Sequence, residues 1–161
     1  MKKIVPIVLS LLFLTSCTVK EYTPRIPDLY KCNITVYSGD FSYDGEFCKN
    51  DSLISVTVTS TRASGLEMIF DGKTLTMNYG GYDYQLDGTN FEKTNSAILL
   101  YQAFSCLENG ETQNEKTDDG YAYTGITDLG DFILFQNDDE TFKSLKMKNI
   151  DYEIIFKNNK E

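Results

Sequence analysis

Residues 66–86 read Leu66-Glu67-Met68-Ile69-Phe70-Asp71-Gly72-Lys73-Thr74-Leu75-Thr76-Met77-Asn78-Tyr79-Gly80-Gly81-Tyr82-Asp83-Tyr84-Gln85-Leu86. Apolar side chains recur at every second position, and Asp71-Gly72 and Gly80-Gly81 interrupt them. A period of two is the repeat of a half-buried strand, and both pairs can supply the positive φ angles of tight hairpins. The stretch predicts three antiparallel strands, with Met68 opposite Leu75 and Met77 opposite Tyr84.

The same alternation extends toward the N-terminus. Leu53 to Ser60 sets Ile54, Val56 and Val58 against Ser55, Thr57 and Thr59, and β-branched side chains suit a pleated surface. With Gly39-Asp40 as a two-residue turn, Ser38 faces Phe41, Val36 faces Tyr43, Ile34 faces Gly45 and Cys32 faces Phe47. This register sends Cys48 to the opposite face from Cys32. A disulfide between them would require a one-residue slip that sets Val36 and Ile34 against Asp44 and Glu46, so the two thiols are expected to stay apart.

Toward the C-terminus the period changes. Between Ser96 and Leu107 the apolar positions 97, 100, 101, 104 and 107 are spaced as in a helix. Thr94 or Asn95 can cap its start, and Gly110 can take the left-handed position at its end. Residues 108–120 are polar and read as a solvated loop. Strands then resume at Tyr121–Thr127, Asp131–Gln136, Thr141–Lys148 and Ile150–Phe156, the last with Ile150, Tyr152, Ile154 and Phe156 on one face. The fold class is α+β, mainly β. It is a curved antiparallel sheet or open half-barrel meander, with one central helix packed on its concave face.

Ahead of the strands stand Lys2 and Lys3, an apolar run from Ile4 to Leu14, and Leu14-Thr15-Ser16-Cys17. A basic start, a short apolar segment and a small-residue cleavage site form a secretory signal, too short for a permanent span. The last four residues resemble the lipobox of bacterial lipoproteins. That resemblance implies cleavage between Ser16 and Cys17 and attachment of a diacylglyceryl group, with palmitate-type chains, to the Cys17 sulfur. The expected organisation is a signal peptide over 1–16, a lipidated tether over 17–29 broken by Pro24 and Pro27, and one β-rich domain over 30–161. The expected location is the extracytoplasmic face of the cell membrane, with the acyl anchor as membrane contact.

Composition narrows the chemistry. The chain carries 15 basic and 24 acidic residues, a formal charge of −9, and loss of Lys2 and Lys3 takes this to about −11. Nucleic acid is not an expected partner, because phosphate binding relies on clustered Lys and Arg. There is no His in the sequence, which removes the usual base of Ser-His-Asp and Cys-His systems. With Cys17 committed to lipid, Cys32, Cys48 and Cys106 remain, an odd number, and Cys106 reads as a small buried hydrophobe. Asp118-Asp119 and Asp138-Asp139-Glu140 sit in apparent turns, and Asn137-Asp138-Asp139-Glu140 lacks the spacing of an EF-hand. No catalytic residue, metal ligand or cofactor is expected, and the chain reads as a non-enzyme. Tyr79, Tyr82 and Tyr84 around Gly80-Gly81 stand either as an aromatic binding surface or as cross-strand packing.

A lipobox Cys, a long meander, a single apolar helix and a second meander ending in Ile150-Asp151-Tyr152-Glu153-Ile154-Ile155-Phe156 resemble the LolA/LolB and LppX-like lipoprotein superfamily. The hairpin from Asp131 through Asn137-Asp138-Asp139-Glu140-Thr141 to Lys143-Ser144-Leu145-Lys146-Met147 is similar to that family's late hairpin. The sequence departs from the family in having only Tyr22 to Leu29 where a long helix precedes the first strand. The resemblance implies a half-barrel that holds acyl chains between sheet and helix. Such a ligand would enter between Leu100 and Phe104 of the helix and Phe70, Met77 and Tyr84 of the sheet; the same five residues read first as core, since helix and strand stripes normally pack together. Two roles stay open: binding an apolar ligand or lipid in the concavity, or docking an envelope protein with no ligand pocket. Replacing Cys17 by Ser is expected to move the protein from the membrane to the soluble fraction on cell fractionation, and unchanged membrane association would contradict the anchor.

Overall fold

The computed structural model describes residues 24–88 and 95–157. The signal segment, Ser16 and the lipid-attachment residue Cys17 lie outside the described residues, as does the start of the tether.

The first meander comprises β1 (Leu29–Ser38), β2 (Phe41–Asn50), β3 (Leu53–Val58), β4 (Glu67–Phe70), β5 (Thr74–Tyr79) and β6 (Tyr82–Asp87). The helix α1 (Ser96–Glu108) follows, and then β7 (Gln113–Thr117), β8 (Gly120–Thr127), β9 (Gly130–Asn137), β10 (Phe142–Met147) and β11 (Tyr152–Lys157). All pairings are antiparallel. The sheet order is β6-β5-β4-β3-β2-β1-β11-β10-β9-β8-β7, so the two meanders are joined where β1 pairs with β11.

Five strands lie between β3 and β8 in that order, which would hold them roughly 28 Å apart in a flat sheet. Yet α1, about 20 Å long, packs on β3 and β4 and on β8 as well. The sheet meets this requirement by curling around the helix, and the concave face becomes the core. One cross-strand row on that face runs Cys32, Phe47, Val56, Met68, Met77, Tyr84 from β1 to β6. Because the sheet approaches α1 from two sides, burial exceeds the single stripe read from the sequence. Ile98, Leu99, Ala103 and Cys106 are buried alongside Ala97, Leu100, Phe104 and Leu107.

Phe104 holds the centre. Its ring lies 4.8 Å from that of Phe142 and 5.7 Å from that of Phe47, with Phe156 at 6.5 Å, the spacing of favourable aromatic pairs. At its start Asn95 accepts hydrogen bonds from the Ala97 and Ile98 amides at 3.0 and 3.2 Å. At its end Gly110 takes φ 71°, and the buried Lys49 ammonium pairs with Glu108 at 2.8 Å.

Several expectations are met residue for residue. Ser38 pairs with Phe41, Val36 with Tyr43, Ile34 with Gly45, Cys32 with Phe47, and Met77 with Tyr84. Cys32, Cys48 and Cys106 are free thiols. Other expectations are corrected. Met68 faces Met77 rather than Leu75, and Leu75 faces Phe70. The turn is Gly72-Lys73, one residue later than expected, because the Asp71 carboxylate closes it by accepting the Lys73 and Thr74 amides at 2.9 and 2.7 Å. The shift is two residues in register, so each side chain keeps its face. The solvated loop expected over 108–120 contains β7, an edge strand exposed along nearly all its length, which therefore carries no apolar alternation to read. Ile150 stands outside β11 and is 37% exposed, because the chain bends there with the Tyr152 amide bonded to the Ile150 carbonyl.

The β4–β5 turn also ties the sheet to the helix. Gly72 has φ 94°, and a Cβ on it would land on the Tyr101 side chain. Gly72→Ala is expected to lower stability by about 1–3 kcal/mol through backbone strain and overpacking. Equilibrium urea unfolding measures this, and an unchanged midpoint would contradict the contact.

Candidate functional site

The helix begins beside β2 and β4, and among the described residues β6 and the Met77–Tyr79 end of β5 lie outside its cover. Beyond its N-terminus lies a groove with two adjoining compartments. The inner one, about 310 Å³, is bounded by Phe41 and Tyr43 of β2, Met68 of β4, and Asn95 and Ser96 at the helix start. The outer one, about 400 Å³, is bounded by Arg62, Tyr79 and Tyr84. Ala63, Leu66 and Met77 border both. The connection between β3 and β4 forms one wall, and the Tyr79 hydroxyl fastens it by donating to the Arg62 carbonyl at 3.0 Å.

Polar groups gather at the inner end. Tyr43 Oη and Ser96 Oγ share a hydrogen bond of 2.7 Å, and Asn95 Nδ2 donates to Met68 Sδ at 3.4 Å. The buried Tyr152 Oη lies against the Tyr43 and Ser96 hydroxyls and interacts with both. Burial pushes the Tyr43 and Tyr152 phenols above the ordinary tyrosine value, so both are neutral donors across the physiological range.

Of the five residues expected to contact a ligand, Met77 and Tyr84 line this groove. The structure does not bring the other three to it. Phe70, Leu100 and Phe104 are 4%, 0% and 1% exposed because the curled sheet closes on the helix from both sides, and Phe70 packs edge-on against Tyr101 at 5.1 Å. The sequence reading missed Tyr43, Ala63 and Ser96. Tyr43 and Ser96 are 53 residues apart, and Ala63 lies in a connection with no period, so no local pattern marks them. Tyr79, Tyr82 and Tyr84 are 47%, 70% and 59% exposed. Tyr79 pairs across the strands with Tyr82 and Met77 with Tyr84, the cross-strand arrangement expected of strand positions, and their exposure leaves ring surface open as well.

The turn acids lie elsewhere, at the opposite end of the strands. Asp138 pairs with Lys116, Asp119 with Lys143 at 3.7 Å, and Glu140 with Arg25 at 3.7 Å. Asp139 accepts from the Thr141 hydroxyl at 2.5 Å. Among the thiols, burial lifts Cys32 to about 11, and burial likewise raises Cys106, whose Sγ lies 3.5 Å from the Ile126 carbonyl. A thiol so held is a poor nucleophile at neutral pH.

The arrangement is thus an open, strongly curved antiparallel sheet closed by one helix, with an apolar groove where the helix stops short. No protein-family model matches the sequence, and no curated protein does. Among solved structures, one chain in a structure of the CwlD amidase from Clostridioides difficile in complex with the GerS lipoprotein, either protein of the two, is similar at 12% identity and a TM-score of 0.47, over 84% of this chain and 86% of that one. The LolA superfamily protein NE2245 from Nitrosomonas europaea is similar at 14% identity and a TM-score of 0.40, over 81% of this chain and 69% of that one.

Raised phenol pKa values have a pH consequence. The folded chain keeps phenol protons that the unfolded chain releases near pH 10, so the share of stability held by these phenols is intact below about pH 10 and falls as the pH rises past it, following an earlier loss that begins near pH 9 as the buried thiols Cys32 and Cys106 do the same. Tyr152→Phe is expected to make this alkaline loss shallower, with Tyr30, Tyr43 and the buried thiols Cys32 and Cys106 sustaining the remainder. Thermal melts between pH 8 and pH 11 measure it, and an unaltered slope would contradict the burial of that hydroxyl.

Proposed function

We propose that this chain is an extracytoplasmic lipoprotein, held to the cell membrane through acylated Cys17, that works without catalysis by taking an apolar ligand into the groove at the start of α1. The observation that carries the reading is the groove itself. Its compartments of about 310 and 400 Å³ fall in the size range of small-molecule sites, and its walls are Ala63, Leu66, Met77 and tyrosine rings in an otherwise acidic, polar chain. Burial of apolar surface drives binding there, at about 0.8 kcal/mol per methylene.

The position of the tether agrees with this role. Asp28 bonds to Asp51 through its carbonyl, and the Arg25 carbonyl accepts from Gln136, both at the Leu29 end of β1. The groove opens near the other end, beside Phe41, and β1 is 10 residues long, about 33 Å. An anchored molecule can therefore present its groove away from the bilayer.

A second reading rests on β6. It forms one edge of the sheet and every residue from Tyr82 to Asp87 is exposed, the situation in which a strand docks a partner. Crosslinking from Tyr82 that recovered a single stoichiometric envelope protein would favour this role.

The ligand reading is tested with an apolar fluorescent probe. The protein is expected to bind the probe and release it to fatty acids, each added methylene tightening competition by about fourfold until the groove is filled. Leu66→Glu and Met77→Glu are expected to abolish binding while the far-ultraviolet circular dichroism is retained. Absence of probe binding by the folded wild type would overturn the proposal.

A further inference from the structure

Strand β6 is the outermost strand on its side of the sheet, and every residue from Tyr82 to Asp87 is exposed. Tyr82, Tyr84 and Leu86 project from one face of it, and Asp83, Gln85 and Asp87 from the other. Half of its backbone is spent on β5. The Gly80-Gly81 turn has positive φ at both residues, 60° and 84°, and its closing bond makes Tyr79 and Tyr82 a hydrogen-bonded pair. Such pairs alternate along an antiparallel ladder, so Tyr82, Tyr84 and Leu86 turn their N–H and C=O groups toward β5. The Gly88 amide keeps the same parity by donating to the Lys73 carbonyl at 2.9 Å. Asp83 and Gln85 therefore direct their backbone groups to the open edge.

An exposed edge is a template for a further strand, and the order of residues in β6 suits it to a second β6. Two such strands run antiparallel about a twofold axis. Overlap of all 6 residues one for one would set Asp83 against Leu86, an outward-facing backbone against an inward-facing one, and no ladder bonds could form. Shifting by one residue either way sets outward-facing residues together. Centred on Gln85, the pair places Asp83 directly opposite Asp87, and like charges in that position are destabilising. Centred on Tyr84, the pair places Asp83 opposite Gln85 twice, Tyr84 opposite Tyr84, and Tyr82 opposite Leu86. In this register alone of the two, each apolar side chain of the strand meets an apolar one and no acid lies directly opposite an acid.

From this self-complementarity we infer that β6 is a dimer edge, at which a second copy of the chain adds its own β6 through the backbones of Asp83 and Gln85, with Tyr84 at the twofold axis. The pairing builds on the reading of β6 as a docking edge and names the occupant. The same patch serves on both copies, so association closes at two. The axis stands perpendicular to the sheet, which brings the concave faces of both copies to one side. Tyr84 bounds the outer compartment of the groove, so in the dimer the two outer compartments adjoin across a pair of tyrosine rings. Charge opposes the pairing. Each chain carries a formal charge of −9, and Asp83 of one copy lies diagonal to Asp83 of the other, so salt strengthens the dimer by screening.

The test is sedimentation equilibrium of the chain carrying Cys17→Ser and Cys48→Ser, so that neither an acyl group nor the half-exposed thiol joins copies. A monomer–dimer equilibrium is expected, with an association constant that rises severalfold as sodium chloride goes from about 0.05 to about 0.5 M. Gln85→Pro removes an outward N–H that β5 does not use, and it is expected to weaken the dimer about tenfold or more with circular dichroism and urea midpoint retained. Tyr84→Lys sets two ammonium groups against each other and is expected to do the same by a separate route. Oxidative trapping reads the register. Tyr84→Cys is expected to link the two copies, since facing residues of this kind have Cα atoms about 4.5 Å apart, and Gln85→Cys is expected to link them about fivefold less, its equivalents being diagonal and out of disulfide reach. A monomer at every concentration up to about 1 mM, the effective concentration of tethered partners, would overturn the inference. Recovery of an envelope protein by crosslinking from Tyr82 would then leave the docking reading standing, and recovery of none would end both. A dimer that survives Gln85→Pro and Tyr84→Lys, or that Gln85→Cys traps better than Tyr84→Cys, would also overturn it.

Discussion

Phe104 is the point on which the molecule depends. Its ring meets Phe47 from the first meander and Phe142 and Phe156 from the second, so one side chain of α1 joins two halves of the sheet that pair directly only through β1 and β11. Antiparallel meanders form from local turns, but nothing local tells strands β2 and β10 to face one another. The helix supplies that instruction by offering apolar surface on more than one side. The sheet must curl to cover it, and the concave face fills with Ile34, Val36, Leu134, Leu145 and Ile154, all fully buried.

The groove follows from the same geometry. Asn95 fixes where the helix starts, by capping the first turn and by its bond to Met68. From that point α1 runs across the strands toward β8, and among the described residues β6 and the Met77–Tyr79 end of β5 stand less covered, while Leu75 of β5 remains in the core. Met77 and Tyr84 continue the row that begins at Cys32 and Phe47, so one line of side chains is core at one end and groove at the other. The three hydroxyls mark the boundary between these regimes. They lie where strand side chains from β2 and β11 converge on the helix terminus, Tyr43 and Ser96 bordering the groove and Tyr152 buried behind them.

Much of the fold was legible in the sequence because alternation and turn chemistry are local signals. Gly39-Asp40 and Gly80-Gly81 set their registers correctly. Asp71-Gly72 did not, since either residue of that pair can begin the turn and the choice was made by Asp71 bonding two amides beyond it. Strand β7 escaped notice because an edge strand with both faces wet has no apolar period. For the candidate site, Met77 and Tyr84 were legible as strand positions facing the concavity. Phe70, Leu100 and Phe104 share that orientation but lie where the sheet closes, and the degree of closure is a property of the assembled sheet that no segment encodes. Tyr43, Ser96 and Tyr152 come from three separate elements and meet only after the curl is complete.

Methionine methyl groups offer the most direct view of this account, since Met68 and Met77 border the groove while Met147 is 2% exposed and lines neither groove compartment. Carbon-13 methyl labelling followed by titration with dodecanoate should move the Met77 and Met68 resonances progressively and leave Met147 in place. Methyl signals that all stay fixed, or a Met147 signal that moves as far as Met77, would contradict the claim that an apolar ligand occupies the uncovered end of the concavity and spares the core beneath the helix.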